Sequence, residues 1–195
     1  MCLSATVVAQ NRPLPLRIYV YNSAGVPAAV LTRAENRAHE IFSQSGIDTN
    51  WDNCAVHDKE GTDCSGKLPP DIIVVHIVEN TERLGQEVFG AAFLGTSGHG
   101  SYADVFFDRV EGLCWESKLS LPDMIGHVIA HEIGHLLLGF GAHSPFGIMR
   151  GKWQPQELQQ VGRGGLFFSA EQSKTMRQRL IAISSGTVAE VTGGQ

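Results

Sequence analysis

His131-Glu132-Ile133-Gly134-His135-Leu136-Leu137-Leu138-Gly139-Phe140-Gly141-Ala142-His143 is the stretch on which the reading of this chain turns. His131 and His135 are four residues apart, so on a helix they lie one turn apart on one face. Both imidazoles then reach a single metal ion. Glu132 is offset from His131 by about 100° around the axis, which places it beside such an ion without obliging it to bind. A catalytic zinc takes three protein ligands and leaves a fourth position to water. The helix cannot easily supply the third ligand from its own next turn. Gly139 and Gly141 break it, and His143 arrives eight residues after His135. The expected ligand set is therefore His131, His135 and His143 around one Zn2+ ion. Glu132 is the expected base for the water.

The helix bearing this pattern is well delimited. Ser120 reads as its N-cap, with Asp123 as the acidic third residue and Pro122 in the permitted first turn. Apolar residues run from Met124 to about residue 138, where the glycines end the helix. His127 lies four residues before His131 and is a rival ligand. The motif position after it is Val128, not Glu, and a histidine there is more often a helix-face residue with a local partner. His57, His76 and His99 have no ligand spacing with one another and read as structural or surface residues. His99 lies in a Gly-rich loop that can line a cleft, and His39 reads as a helix-surface residue.

Outward from the motif, the chain alternates strand and helix signals. Residues 16–21 alternate and are rich in β-formers, so they read as a strand. Pro27 opens a helix in which Val30, Ala34, Ala38, Ile41 and Phe42 form one apolar face, and Gly46 stops it. Residues 47–51 form a short strand. Residues 71–78 are almost continuously apolar and read as a buried central strand. Residues 91–94 and 102–107 are further strand candidates, separated by the Gly-rich run of residues 95–101. A last helix is expected from its cap Ser169 to about residue 183, followed by a small, polar tail over residues 185–195 that reads as disordered.

Composition narrows the class. A chain of 195 residues with 43% hydrophobic and 18% charged residues has the makings of one globular domain, expected over residues 11–184. The net charge of −5, with no basic run, argues against nucleic acid as a partner. No stretch approaches the roughly 20 apolar residues of a membrane span. Residues 1–10 are small and apolar, like the end of a signal peptide cleaved near Ala9, or else read as a disordered N-terminus. Cys54 and Cys64 flank a polar loop with little core of its own, and a disulfide closing it agrees with export. A secreted or periplasmic location follows as an expectation. Cys114 reads as a single buried residue.

At residues 131–149 the sequence resembles the metzincin clan of zinc peptidases. The clan's long motif, His-Glu-x-x-His-x-x-Gly-x-x-His, is followed by a turn carrying a methionine beneath the zinc. Here Ser144-Pro145-Phe146-Gly147-Ile148-Met149 brings a methionine six residues after His143. The chain has one extra residue before the Gly and one more before the last His. In this it is more similar to a divergent bacterial group of metzincin-like secreted proteins carrying His-Glu-Ile-Gly-His-Leu-Leu-Leu-Gly and a His-Ser-Pro-x-Gly-Ile-Met tail.

The resemblance implies an α+β zincin fold: a mixed twisted sheet, an active-site helix, and a small C-terminal lobe that begins after about residue 138 and ends in a helix. It implies a monomeric metalloendopeptidase acting on protein or peptide substrates, with Met149 packed under the ligands. It also implies a cleft-edge strand at Ala91, Ala92, Phe93, Leu94 and Gly95 that pairs with extended substrate. Residues 150–153 are candidates for the pocket wall. Two alternatives stand beside this. Glu157, twenty-two residues after His135, has the spacing of the third ligand in thermolysin-like enzymes, though it reads more simply as an exposed helix-surface residue. A secreted binding module clipped by zinc would need a fourth protein ligand, and none with suitable spacing is visible.

Overall fold

The computed structural model describes residues 14–55, 61–64, 69, 71–79 and 88–185. The readings of residues 1–10, of His57 and of the tail beyond residue 185 fall outside these.

Alternation builds the sheet. In β1 (Leu14–Asn22), Leu16, Ile18 and Val20 are buried on one face. β3 (Ile72–Val78) begins with four consecutive buried residues, as a strand covered on both faces must. With β2 (Ile47–Cys54), β4 (Gly90–Phe93) and β5 (Tyr102–Phe106) it forms a five-stranded sheet in the order β2-β1-β3-β5-β4. β1, β2, β3 and β5 run parallel, and β4 is antiparallel to β5 at the edge. The expected α+β architecture with a mixed sheet is thus present.

The parallel pairing of β1 with β2 needs a crossover, and α1 (Ala28–Gln44) supplies it. Its buried face is Leu31, Ala34, Glu35, Ala38, Ile41 and Phe42. Against it lies α3 (Leu121–Leu138), the helix of the histidine motif. A side chain at Gly126 would stand 2.6 Å from the carbonyl oxygen of Ala34, so the two helices meet almost backbone to backbone. Arg37 Nε donates to Asp123 Oδ1 at 3.0 Å and fixes the N-terminal end of α3 on α1. At the other end Gly139, with φ 85° and ψ −160°, takes a backbone conformation that favours glycine and stops the helix where the sequence reading placed the break. α5 (Ala170–Ser184) is capped by Ser169 and Gln172 and closes the fold with Met176 and Leu180 buried.

One helix was not assigned from the sequence, and another was read only as the helix surface carrying Glu157. α2 (Phe107–Ser117) directly follows β5, where the apolar run had been read as strand up to residue 107. Only Val110 and Cys114 of α2 are buried, too few to leave a helical period in the pattern. α4 (Pro155–Gly162) starts at a capping box between Gln154 and Glu157. β4 spans Gly90–Phe93, one residue earlier than read. Cys54 and Cys64 form the expected disulfide. Cys114 is the free, buried thiol expected, and burial pushes its pKa up to about 11.

Glu35 is a charged residue on the core face of α1. One of its oxygens, Oε1, has no hydrogen-bond partner among the described residues. Burial raises its carboxyl to about 6, against an opposing hydrogen bond from Asn53. A carboxyl raised on folding favours the folded state below its unfolded pKa, and the advantage is lost as pH rises through the folded value. Denaturant unfolding should therefore show about 2 kcal/mol of stability lost between roughly pH 4 and pH 7 from this residue. Glu35→Gln should remove that part of the slope; an unchanged slope would reject the assignment.

Candidate metal centre

His131, Glu132 and His135 project from the second half of α3, and His143 comes from the loop after it. His131 Nε2 and His135 Nε2 are 3.1 Å apart, as are His135 Nε2 and His143 Nε2. All three ligand atoms lie within 4.8 Å of one another. A tetrahedral zinc with bonds of about 2.0–2.1 Å sets its nitrogens roughly 3.3 Å apart. The spacing therefore fits an ion between the rings.

The protonation states fit as well. His131 Nδ1 is 2.6 Å from the Ile148 carbonyl oxygen. A carbonyl only accepts, so Nδ1 carries the proton and Nε2 of the neutral ring carries the lone pair. Burial lowers His131 to about 3, aided by His135 and His143 and opposed by the Ile148 bond. Burial, with His143 beside it, lowers His135 to about 4. Both rings are neutral at neutral pH, as a metal ligand must be.

Glu132 is only 6% exposed. Burial raises its carboxyl to about 8, opposed by the hydrogen bond it accepts from the Ala92 backbone of β4. Gly90 makes this contact possible: a side chain there would stand 2.7 Å from Glu132 Cγ and Oε1. The sequence reading did not single out Gly90. Its only signal was a glycine at the start of a short strand, a mark of close approach.

Met149 is fully buried beneath the helix. Its sulfur lies 2.6 Å from where a side chain on Gly134 would begin, so the glycine between the two helical histidines admits it. The turn that delivers Met149 is closed by Ser144 N donating to Met149 O at 2.8 Å and Arg150 N to Gly147 O at 3.1 Å. Gly151 then passes against the ring of His143, its absent side chain 3.0 Å from two ring atoms.

These groups open on a cleft of about 990 Å³. From the expected edge strand, Ala91, Ala92 and Leu94 border it, but Phe93 and Gly95 do not. Phe93 is 51% exposed and packs on Tyr102, with ring centroids 5.4 Å apart. Gly95 bonds His99 in the following turn. Residues 150–153 all line the cleft, as read. Other lining residues were missed: Arg109 and Leu113 of α2, with Val128 and Leu158.

Two further expectations need correction, those for Glu157 and His99. Glu157 is not an exposed helix-surface residue; its side chain is 7% exposed and paired with Arg150 Nη1 at 3.1 Å. Burial alone would raise it, but the Gln154 N–H and Arg150 outweigh that and hold its pKa below the usual value. It does not join the histidine cluster. His99 lines a separate cavity of about 250 Å³ with Arg179, not the cleft. His127 is buried, donates from Nδ1 to the Asp123 carbonyl at 2.7 Å, and stands apart from the three ligands. His76 contacts Ser23 and Tyr102, and His39 contacts Thr49. Among the described residues no helix is long and apolar enough to cross a membrane.

No protein-family model matches the chain, and no curated protein matches it in sequence. Solved structures do match in fold. A zinc-dependent peptidase from Methanocorpusculum labreanum is 18% identical with a TM-score of 0.55, over 82% of this chain and 99% of its own. Archaemetzincin from Methanopyrus kandleri is 17% identical with a TM-score of 0.54, over 87% of this chain and 98% of its own.

Proposed function

We propose that this protein is a zinc-dependent endopeptidase of metzincin type, with His131, His135 and His143 as ligands and Glu132 as general base. The observation that carries the reading is three imidazoles converging beside a buried carboxyl in the lining of an open cleft. The fold shared with a zinc-dependent peptidase and an archaemetzincin supports it. Bound zinc would polarise the scissile carbonyl and activate a water.

The chain's own residues do the rest. Burial alone would keep Glu132 protonated near neutral pH, and the positive charge of a bound zinc would favour its ionised form. Held by the Ala92 N–H, the Glu132 carboxylate then takes a proton from the water as its oxygen bonds the scissile carbonyl carbon, and returns it to the amine that leaves when the C–N bond breaks. Being buried beside Gly90 fixes its direction, so the proton has one acceptor at a set place. The exposed edge of β4 offers its backbone to an extended peptide laid antiparallel along the cleft. The turn through residues 144–149 acts as the Met-turn, with Met149 packed beneath the ligands. All of these groups come from one chain, so a monomer suffices. The disulfide between Cys54 and Cys64 favours an exported protein.

The test is metal content together with hydrolysis of an unfolded protein substrate. The purified protein should hold one zinc per chain. Its hydrolysis should stop with a chelator and return with added zinc. Zinc at one equivalent without any hydrolysis would overturn the enzymatic reading and leave a zinc-clipped binding module.

A further inference from the structure

We infer that Trp153 is a positioning residue for the metal centre, bracing His131 through the Ile148 carbonyl. The inference rests on the reading of His131 as a zinc ligand. The Ile148 oxygen accepts two hydrogen bonds. One comes from His131 Nδ1 at 2.6 Å, the other from Trp153 Nε1 at 2.9 Å. A carbonyl oxygen has two lone pairs, and both are used.

The indole also stands edge-on to two histidines of α3. Its ring centroid is 5.8 Å from that of His131 at 83°, and 6.4 Å from that of His127 at 90°. Trp153 therefore fills the corner between successive turns of the helix while its N–H holds the oxygen that aligns His131. It lines the cleft as well.

The brace has a reason to exist. His131 keeps its tautomer and ring angle only while the Ile148 oxygen stays in place. Ile148 follows Gly147, whose φ of 79° marks a left-handed turn outside any helix or strand. The Ile148 N–H reaches Phe167 O at a long 3.2 Å. The carbonyl thus lies on a loop without a ladder to fix it. A rigid aromatic donor five residues ahead supplies that restraint. In sequence Trp153 was visible only as one of several pocket-wall residues.

A merely structural tryptophan would act through packing alone, and Trp153→Phe separates the two roles. Phenylalanine keeps an aromatic ring and loses the Nε1–H. Zinc affinity, measured by chelator competition on stripped and reloaded protein, is expected to fall about tenfold. That is the low end of the 10–100-fold typical when a partner outside the ligands is removed. The unfolding midpoint of the zinc-free protein should stay at the wild-type value. Co2+ should quench part of the wild-type tryptophan emission, and that part should be missing from Trp153→Phe, where Trp51 and Trp115 remain.

Wild-type zinc affinity in Trp153→Phe would overturn the inference while leaving the peptidase reading intact. So would a variant whose zinc-free form is destabilised enough to account for the whole loss. Trp153→Ala guards against an accidental rescue. If only the alanine variant loses zinc, packing rather than the hydrogen bond is at work, and the brace is refuted. A wild-type protein that takes up no zinc would fail at the earlier step and remove the reading beneath both.

Discussion

Glu132→Gln should retain zinc at the wild-type ratio and lose peptide hydrolysis by a factor of about 10²–10⁴, the usual contribution of a positioned general base. The substitution suits this site because it changes so little else. Glutamine has the shape of glutamate, so the tight contact with Gly90 survives. Its side-chain carbonyl can still accept the Ala92 N–H that aligns Glu132. The three ligand nitrogens come from other side chains and keep their spacing. What disappears is a group able to take up a proton. The loss should therefore fall on kcat, with little change in KM, since the base is needed in the transition state rather than for holding the peptide. Turnover at the wild-type rate would show that the proton goes elsewhere. Loss of zinc together with turnover would show that Glu132 supports the ligands instead.

The parts of this site that sequence made legible are those whose chemistry is local. The step of four between His131 and His135 is a property of any helix, and the glycines after it must bend the chain. Ser120, Pro122 and Gly139 delimit the helix by rules that act within a turn. The Cys54–Cys64 disulfide was legible for the same reason, since it closes a short loop. What stayed hidden is the part of the cleft made by long-range contacts. Gly90 matters because α3 brings Glu132 against it, forty-two residues later in the chain. α2 buries two residues and turns Arg109 and Leu113 to the cleft, so its mixed faces carry no clean period. Glu157 looked like a surface carboxylate because its partner, Arg150, sits seven residues earlier in the irregular stretch before α4, where no helical spacing links the two. A buried charge whose partner lies outside any regular spacing has the same sequence signature as an exposed one. β4 shows the finest limit: over four residues, alternation cannot fix an end to within one position.

Removing His143 should cost the site its zinc, and removing Glu157 should not. His143 is exposed and, among the described residues, holds no hydrogen bond beyond its contact with His135, so His143→Ala takes little from the fold. Stability of the zinc-free protein should stay within about 0.5 kcal/mol of wild type, as for an ordinary surface substitution. Zinc affinity should fall well beyond the roughly 10–100-fold seen for outer partners, because a ligand itself is gone. Glu157 behaves in the opposite way. It closes the capping box of α4 with the Gln154 N–H at 2.9 Å and pairs with Arg150, so it holds the wall next to Met149. Glu157→Ala should lower stability by about 1–3 kcal/mol, since it removes a cap and leaves a half-buried guanidinium without its carboxylate. Glu157→Gln keeps the box and should lose less. Both Glu157 variants should bind zinc as the wild type does once folded. Chelator competition and denaturant unfolding on the three variants separate the two roles. Zinc retained by His143→Ala and lost from Glu157→Gln would transfer the third ligand to Glu157 and overturn the histidine triad.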